Sequence, residues 1–194
     1  MDALMLIDLQ VGLCKPEGVG AGPLSDAVSQ LGTLERAGEC LEAARGAGLP
    51  VYHVRLAFDD AYRRRTNRTE RFSGHQEARR FRSGSADTEF CSEVAPREGE
   101  LVVEKGSVSP FASTALLDWL RATGVQRLAV AGVATHLAVE SAVREAADRG
   151  FLPTVLSDAC AAPEPLHTHA LGATLPAFAQ MLTAREFTGR VSTN

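Results

Sequence analysis

The sequence predicts a three-layer α/β/α fold around a mostly parallel sheet of about six strands. Short apolar runs recur along the chain, and runs of that length suit strands buried on both faces. Segments with helical spacing alternate with them, which points to helices on both sides of the sheet. Glycine and proline punctuate the joins. The 194 residues are read as one domain, since domains run to about 100–200 residues.

Ala3–Ile7 is the first strand, with Asp8 where it ends. A Gly/Pro-rich loop, Val11–Pro23, follows. Ala27, Leu31, Leu34, Ala37, Leu41 and Ala44 then fall on one stripe. That stripe predicts a single helix over Leu24–Ala47, stopped by Gly46 and Gly48. Pro50–Leu56 is the second strand. Ala57–Glu98 has little periodicity, and so long a loop tends to be functional or interface-forming. Leu101–Glu104 is the third strand, running into Lys105. Ser113–Ala122 reads as a helix capped by Ser113 or Thr114 and closed by Gly124. Arg127–Gly132 is the fourth strand, followed by a helix over His136–Arg149 that ends at Gly150. Pro153–Ser157, a helix over Pro165–Ala177 and a sixth strand over Gln180–Ala184 complete the pattern. Open sheets of this kind bind ligands at the carboxyl ends of their strands, which singles out Asp8, Lys105 and Gly132–Ala138.

Composition narrows the class. Hydrophobic residues make up 45%, charged residues 23%, and the formal net charge is −4, which weighs against a nucleic-acid partner. Tyr62–Arg82 is the exception, with Arg63, Arg64, Arg65, Arg68, Arg71, Arg79, Arg80 and Arg82. It reads as a solvated surface or, alternatively, as a place for an anionic substrate or a neighbouring subunit. Cys14, Cys40, Cys91 and Cys160 form neither a CxxC pair nor a zinc pattern. Met1-Asp2 leads into the first strand without the basic start of a signal peptide, and no apolar run matches a membrane span. The expectation is a cytoplasmic protein with free thiols and no cofactor.

Chemistry is legible at the strand ends, always beside a plainer reading. Burial raises the pKa of a carboxylate such as Asp8, and a nearby Lys105 would hold it ionised as a base; equally, Asp8 reads as a cap and Lys105 as a surface lysine. Gly132-Val133-Ala134-Thr135 opens a helix whose free N–H groups could stabilise an oxyanion, or it is an ordinary turn. His136 reads as a cap or surface group before a ligand, and His53 as a core or rim histidine. His167 and His169 fall on different helix faces and make a poor metal pair. Cys160 is a buried thiol by default. There is no Gly-rich phosphate loop and no G-x-S-x-G elbow.

Three spaced blocks resemble one family. Leu6-Ile7-Asp8-Leu9-Gln10 looks like the opening of isochorismatase-like hydrolases. Val102–Phe111 is similar to their strand–Lys–x–x–x–S–x–F segment, and Val130–Ala142 to their G-V-A-T-x-x-C-V-E-S-T block. The matches Ala146-Asp148-Arg149-Gly150 and Ser157-Asp158-Ala159-Cys160-Ala161 follow in order, so the resemblance covers almost the whole chain. It implies an isochorismatase-like, Rossmann-like fold and a small-molecule amide or carbamoyl substrate. It implies a site of Asp8, Lys105 and the nucleophile position, here Ala138, in the cysteine hydrolase branch. It also implies a cis peptide at Val133–Ala134, an oxyanion hole from Ala134 and Ala138, and a homo-oligomer, either dimer or tetramer. Gln10, Phe58, Tyr62, Arg71, Phe111 and His136 are the substrate-binding candidates.

Two departures matter. Alanine at 138 supplies no nucleophile, so covalent catalysis there is impossible. The retained Val139-Glu140-Ser141 favours a Cys-to-Ala replacement that binds substrate without turnover. The alternatives are a vinyl-ether hydrolase using Asp8 without a cysteine, and a non-catalytic binding protein. The second departure is Leu56–Tyr62, which lacks the histidine pair of the metal-dependent nicotinamidases. The expectation is therefore no catalytic metal.

Overall fold

The structure, a computed structural model, describes residues 1–192. Its strands are β1 (Ala3–Ile7), β2 (Val51–Leu56), β3 (Leu101–Lys105), β4 (Arg127–Val133), β5 (Leu152–Ala161) and β6 (Gln180–Leu182). They form one sheet in the order β3-β2-β1-β4-β5-β6, and every adjacent pair is parallel. Among the described residues the α-helices are α1 (Val11–Cys14), α2 (Pro23–Leu31), α3 (Thr33–Gly46), α4 (Glu70–Glu77), α5 (Leu116–Ala122), α6 (Glu140–Asp148), α7 (Leu166–His169) and α8 (Ala184–Val191).

The period-two alternation of strands divides the core. Leu4, Leu6, Ala129 and Ala131 join Val28, Ala37, Leu41 and Phe187 on the face covered by α2, α3 and α8. Ala3, Met5, Ile7, Leu128 and Val130 join Leu116, Leu120, Val143 and Ala146 on the face covered by α5 and α6. Residues Ala3 to Ile7 are all 1% exposed or less, as a central parallel strand requires. Burying each large side chain there contributes roughly 1.5–3 kcal/mol. The chain runs from β1 outward to β2 and β3 on one side, then returns to place β4 on the other. The crevice at the carboxyl ends of β1 and β4 is thus the switch point of the sheet.

The elements differ from the sequence expectation in instructive places. Gly32, at φ 62°, splits the single helix expected over Leu24–Ala47 into α2 and α3; a left-handed residue ends a helix whatever the apolar stripe does. Ala57–Glu98 holds α4 and two short 3₁₀ turns. The helix expected from Ser113 begins at Leu116, whose N–H is accepted by Thr114 Oγ1 at 3.1 Å. The helix expected from His136 opens as a π-helical turn, Thr135–Val139. The sixth strand ends early because Thr183 starts α8: Thr183 Oγ1 accepts from the Glu186 N–H while Glu186 Oε2 accepts from the Thr183 N–H. No helix among the described residues is long and apolar enough to cross a membrane.

Candidate active site

Asp8 leaves β1 with φ 58°, a left-handed conformation that costs a non-glycine residue energy. Its N–H donates to the Val54 carbonyl at 2.8 Å, which fixes the turn against β2. Lys105 ends β3 and is 1% exposed. Its ammonium reaches past β2 to donate to Asp8 Oδ2 at 2.7 Å and to the Ser107 carbonyl at 3.0 Å. Ser107 Oγ in turn donates to the Ser109 carbonyl at 2.7 Å, so the loop behind the lysine is itself pinned. The other carboxylate oxygen, Asp8 Oδ1, is buried without a hydrogen-bond partner. Burial pushes the Asp8 carboxyl above its ordinary range, and the Lys105 charge opposes that rise.

On the other side of the crevice, β4 presses on β1 at Gly132, its last residue but one, where φ is 135° and an added Cβ would collide with the Ile7 backbone. Only glycine lets β4 approach β1 this closely. The Val133–Ala134 peptide is cis. The Ala134 carbonyl accepts from Leu137 N–H at 3.0 Å and Val139 N–H at 3.4 Å, and Thr135 Oγ1 is 2.8 Å from His167 Nδ1. These bonds anchor the π-helical turn that carries Ala138.

Asp8, Lys105, Val133, Ala134, Leu137 and Ala138 share one cavity of about 100 Å³, closed by Leu13, Leu24, Leu56 and Val108 and by Arg71, Phe72 and His75 of α4. That is room for about three waters. His75 lies four residues after Arg71 and three after Phe72, one helical turn from each, which brings all three to the cavity. Arg71 is exposed. Burial, and then Arg80 and Arg71, push the His75 imidazole down; burial and then Arg71 do the same to His136, whose Nδ1 is buried without a partner.

Five expected substrate contacts fall elsewhere. Gln10 is fully buried; its amide donates to the Leu56 and Asp87 carbonyls and accepts from the Leu56 N–H. Every polar atom of that side chain is spent on joining segments. Phe58, 0% exposed, stacks on Tyr62 at 5.0 Å beneath Phe72 and Phe81. Tyr62 donates its hydroxyl to the Arg80 carbonyl at 2.7 Å. Phe111 packs against Phe151 and the Arg149 guanidinium, in the core on the α5–α6 side of the sheet. His136 is outside the cavity wall, beside Arg71. The sequence reading passed over His75, Leu13, Leu24, Leu56, Val108 and Leu137; the spacing of Arg71, Phe72 and His75 is the signal that was available. Among the described residues no group of three or more His, Cys, Asp and Glu could hold a metal ion.

Residues 2–186 match the isochorismatase domain family. The chain belongs to the isochorismatase family. A ureidoacrylate amidohydrolase, RutB, of Methylobacterium radiotolerans is 30% identical over 191 residues, covering 87% of this chain and 70% of that protein. The RutB protein of Variovorax paradoxus is 28% identical, covering 98% and 77%. In fold, the chain is similar to a cysteine hydrolase from Pseudomonas syringae pv. phaseolicola, with a TM-score of 0.86, 24% identity and coverage of 99% and 92%. It also resembles N-carbamoylsarcosine amidase from Thermoplasma acidophilum, with a TM-score of 0.74, 24% identity and coverage of 95% and 97%. Isochorismatase-family membership and the parallel α/β sheet are thus established together.

Proposed function

We propose that the cavity is the reaction centre of a hydrolase for carbon–nitrogen bonds, and that it takes the amide or carbamoyl end of a small molecule. The observation that carries this reading is the asymmetry of Asp8: Lys105 holds one carboxylate oxygen, while the other is buried and unpartnered, and Asp8 lines the same cavity as Ala138. An unpaired buried oxygen is costly, and a ligand proton would satisfy it. With cysteine at 138, Asp8 would take the thiol proton, the sulfur would attack the carbonyl carbon, and the N–H groups of Ala134 and residue 138 would receive the developing oxyanion. The leaving amine would depart with the proton from Asp8, and water would hydrolyse the thioester. With alanine at 138, whether introduced or inherited, that sequence stops at the bound substrate.

The mouth of the cavity suggests the rest of the ligand. Arg71 lines it with no carboxylate paired to it among the described residues, and the neighbouring His136 and His75 are both held toward their neutral forms. A carboxylate is the natural partner of such a guanidinium. The 30% identical relative is a ureidoacrylate amidohydrolase, a name that joins a ureido group to an acid. A ureido or carbamoyl acid is therefore the substrate class proposed.

One observation favours a second reading. Burial raises the Asp8 pKa, so the carboxyl can also carry a proton and act as an acid on a vinyl ether without any nucleophile at 138. The test is ammonia release from a panel of ureido acids and amides, with calorimetric binding, by this protein and its Ala138→Cys form. Binding by both and ammonia from the cysteine form alone is the expected result. Ammonia from neither, with vinyl-ether cleavage by the alanine form, would replace the first reading with the second.

A further inference from the structure

Lys105 ends the edge strand of the sheet, and β2 lies between that strand and β1, which carries Asp8. β3 has a strand neighbour on one side only, so the loop that follows it must set where the ammonium points. Two of the three ammonium protons go to Asp8 Oδ2 at 2.7 Å and to the Ser107 carbonyl at 3.0 Å. The second acceptor belongs to that loop. Whatever fixes the Ser107 carbonyl therefore fixes the lysine.

Ser107 is 4% exposed. Its Oγ donates to the Ser109 carbonyl at 2.7 Å and lies 2.7 Å from Ser113 Oγ. The Gly106 N–H donates to Ser113 Oγ at 3.0 Å. A hydroxyl has one proton to give. That of Ser107 goes to the Ser109 carbonyl, so the proton between the two serines comes from Ser113. One order of donors keeps every bond: Ser113 to Ser107, Ser107 to the Ser109 carbonyl, and Gly106 into Ser113. The reverse order between the serines gives up the Ser109 bond. The loop has no slack on its outer side either. The Thr66 N–H donates to the Gly106 carbonyl at 3.2 Å, and a Cβ at Gly106 would collide with the Arg64 carbonyl. Ser113 itself is half-buried and lines a surface cleft of about 400 Å³ with Arg64, Glu104, Thr114 and Trp119. It is not part of the cavity wall around Asp8. A chain of hydrogen bonds thus runs from a separate surface of the protein to the buried ion pair.

We propose that Ser113 is a positioning residue for the reaction at Asp8, acting through Ser107 and Lys105. The assignment rests on Asp8 and Lys105 being the reacting pair. With Ser113 in place, residues 106–109 are held in one shape, and the Ser107 carbonyl keeps the ammonium on Asp8 Oδ2. Without its hydroxyl, Ser107 loses one of two bonds and the Gly106 N–H loses its acceptor, so the carbonyl loses its fixed direction. Lys105 is the charge that opposes the rise Asp8 owes to burial. A looser ammonium leaves the carboxyl higher. The other ionisable groups facing Asp8 are Cys14 of α1, whose sulfur is 3.6 Å from the Asp8 carbonyl oxygen, and Arg71 and His75 of α4 across the cavity. None of them is hydrogen-bonded to either serine.

The test titrates the Asp8 carboxyl by carbon NMR in this protein as it stands, with alanine at 138. Ser113→Ala and Ser107→Ala should each raise the Asp8 pKa by about 0.5–1, a part of the 1–3 that a close opposite charge supplies. Ser113→Thr keeps the hydroxyl and should restore the parent value. Thr114→Ala is the matched control. Thr114 Oγ1 donates to the Pro110 carbonyl at 2.6 Å and accepts from the Leu116 N–H at 3.1 Å, so this variant loses two bonds next door and should lose stability with Asp8 unmoved. In the Ala138→Cys form, Ser113→Ala should lower kcat for ureido acids by roughly three- to tenfold, with KM unchanged and the acidic limb moved up alongside the NMR value. An Asp8 pKa that stays with the parent in both serine variants, moves equally in Thr114→Ala, or is not restored by Ser113→Thr would overturn the assignment. Should Ser113→Ala fail to fold, Ser107→Ala breaks the same chain from its other end and decides. A raised Asp8 pKa with no ammonia from any cysteine form would uphold the tie of Ser113 to the ion pair and remove the amide reading instead.

Discussion

Two carboxylates near opposite ends of the sheet show how a fold treats a structural charge and a chemical one. Glu100 precedes β3 and has every demand met. It accepts from Arg45 Nε and Nη2 at 2.7 and 2.8 Å, from the Arg97 N–H at 2.8 Å, and lies 2.9 Å from His53 Nε2. Those donors, Arg45 first, lower its pKa to about 2. Asp8, at the far end of β1, has one lysine on one oxygen and nothing on the other, and burial moves it upward. Saturated donors fix a carboxylate as a permanent anion. A half-satisfied one can still gain or lose a proton, which is what acid–base chemistry needs.

The largest expected effect tests that division directly. In the Ala138→Cys form, Asp8→Asn should lower kcat/KM for ureido acids by roughly 10²–10⁴-fold, the usual range for a lost general base. Before that change, the acidic limb of the pH profile should lie above 3.8, the unshifted value for the group. Stability carries a second signature. A carboxyl with a raised folded pKa favours folding when protonated, so the stability of the parent relative to Asp8→Asn should fall as the pH rises above about 3.8. A kcat/KM within a few-fold of the parent would show that Asp8 is merely the partner of Lys105.

Glu100→Gln should behave in the opposite way. Its contribution is fully present above the unfolded value of 4.5 and is lost as the pH falls toward 2. The variant should lose roughly 2–3 kcal/mol at neutral pH and show a flatter stability curve between those two values, with kcat/KM unchanged. Chemical denaturation at several pH values measures both slopes. Parallel slopes for the Asp8 and Glu100 variants would dissolve the distinction.

The same contrast explains what was legible beforehand. β1 and β4 could be read because strands buried on both faces leave apolar runs, the outer strands because short β-branched and apolar stretches stood between glycine and proline breaks, and Asp8 and Lys105 stood at the ends of two strands. The separation of Arg71 from Phe58 and Tyr62 was not legible. All three lie in a stretch without strong periodicity, and which side chains face inward depends on α4 packing on Phe58 and Phe81. Gln10 misled for a related reason: a polar residue two positions after Asp8 looks exposed to ligand, yet its amide is consumed by Leu56 and Asp87. Local spacing also could not show that the helix stripe at Ala27–Ala44 is interrupted at Gly32, because a left-handed turn leaves the pattern of apolar residues intact.

Arg71 extends the comparison to the cavity mouth. Arg71→Gln should raise KM for a ureido acid by about ten- to a hundredfold, which corresponds to roughly 1.5–3 kcal/mol for a charge-assisted hydrogen bond. Its kcat should change little, and a neutral amide of the same size should be indifferent to the substitution. Equal losses on charged and neutral substrates would assign Arg71 to the shape of α4 and not to a carboxylate.

The smallest effect separates Arg71 from its aromatic neighbours. Tyr62 is 5% exposed, and its hydroxyl donates to the Arg80 carbonyl just after α4. Tyr62→Phe should therefore cost only about 0.5–1.5 kcal/mol, the net worth of one intramolecular hydrogen bond, while KM and kcat of the Ala138→Cys form stay where they were. The ring remains to stack on Phe58, so the wall behind Phe72 persists. A rise in KM with unchanged stability would mean that the hydroxyl reaches substrate when the cavity is filled, and α4 would then have to shift on binding.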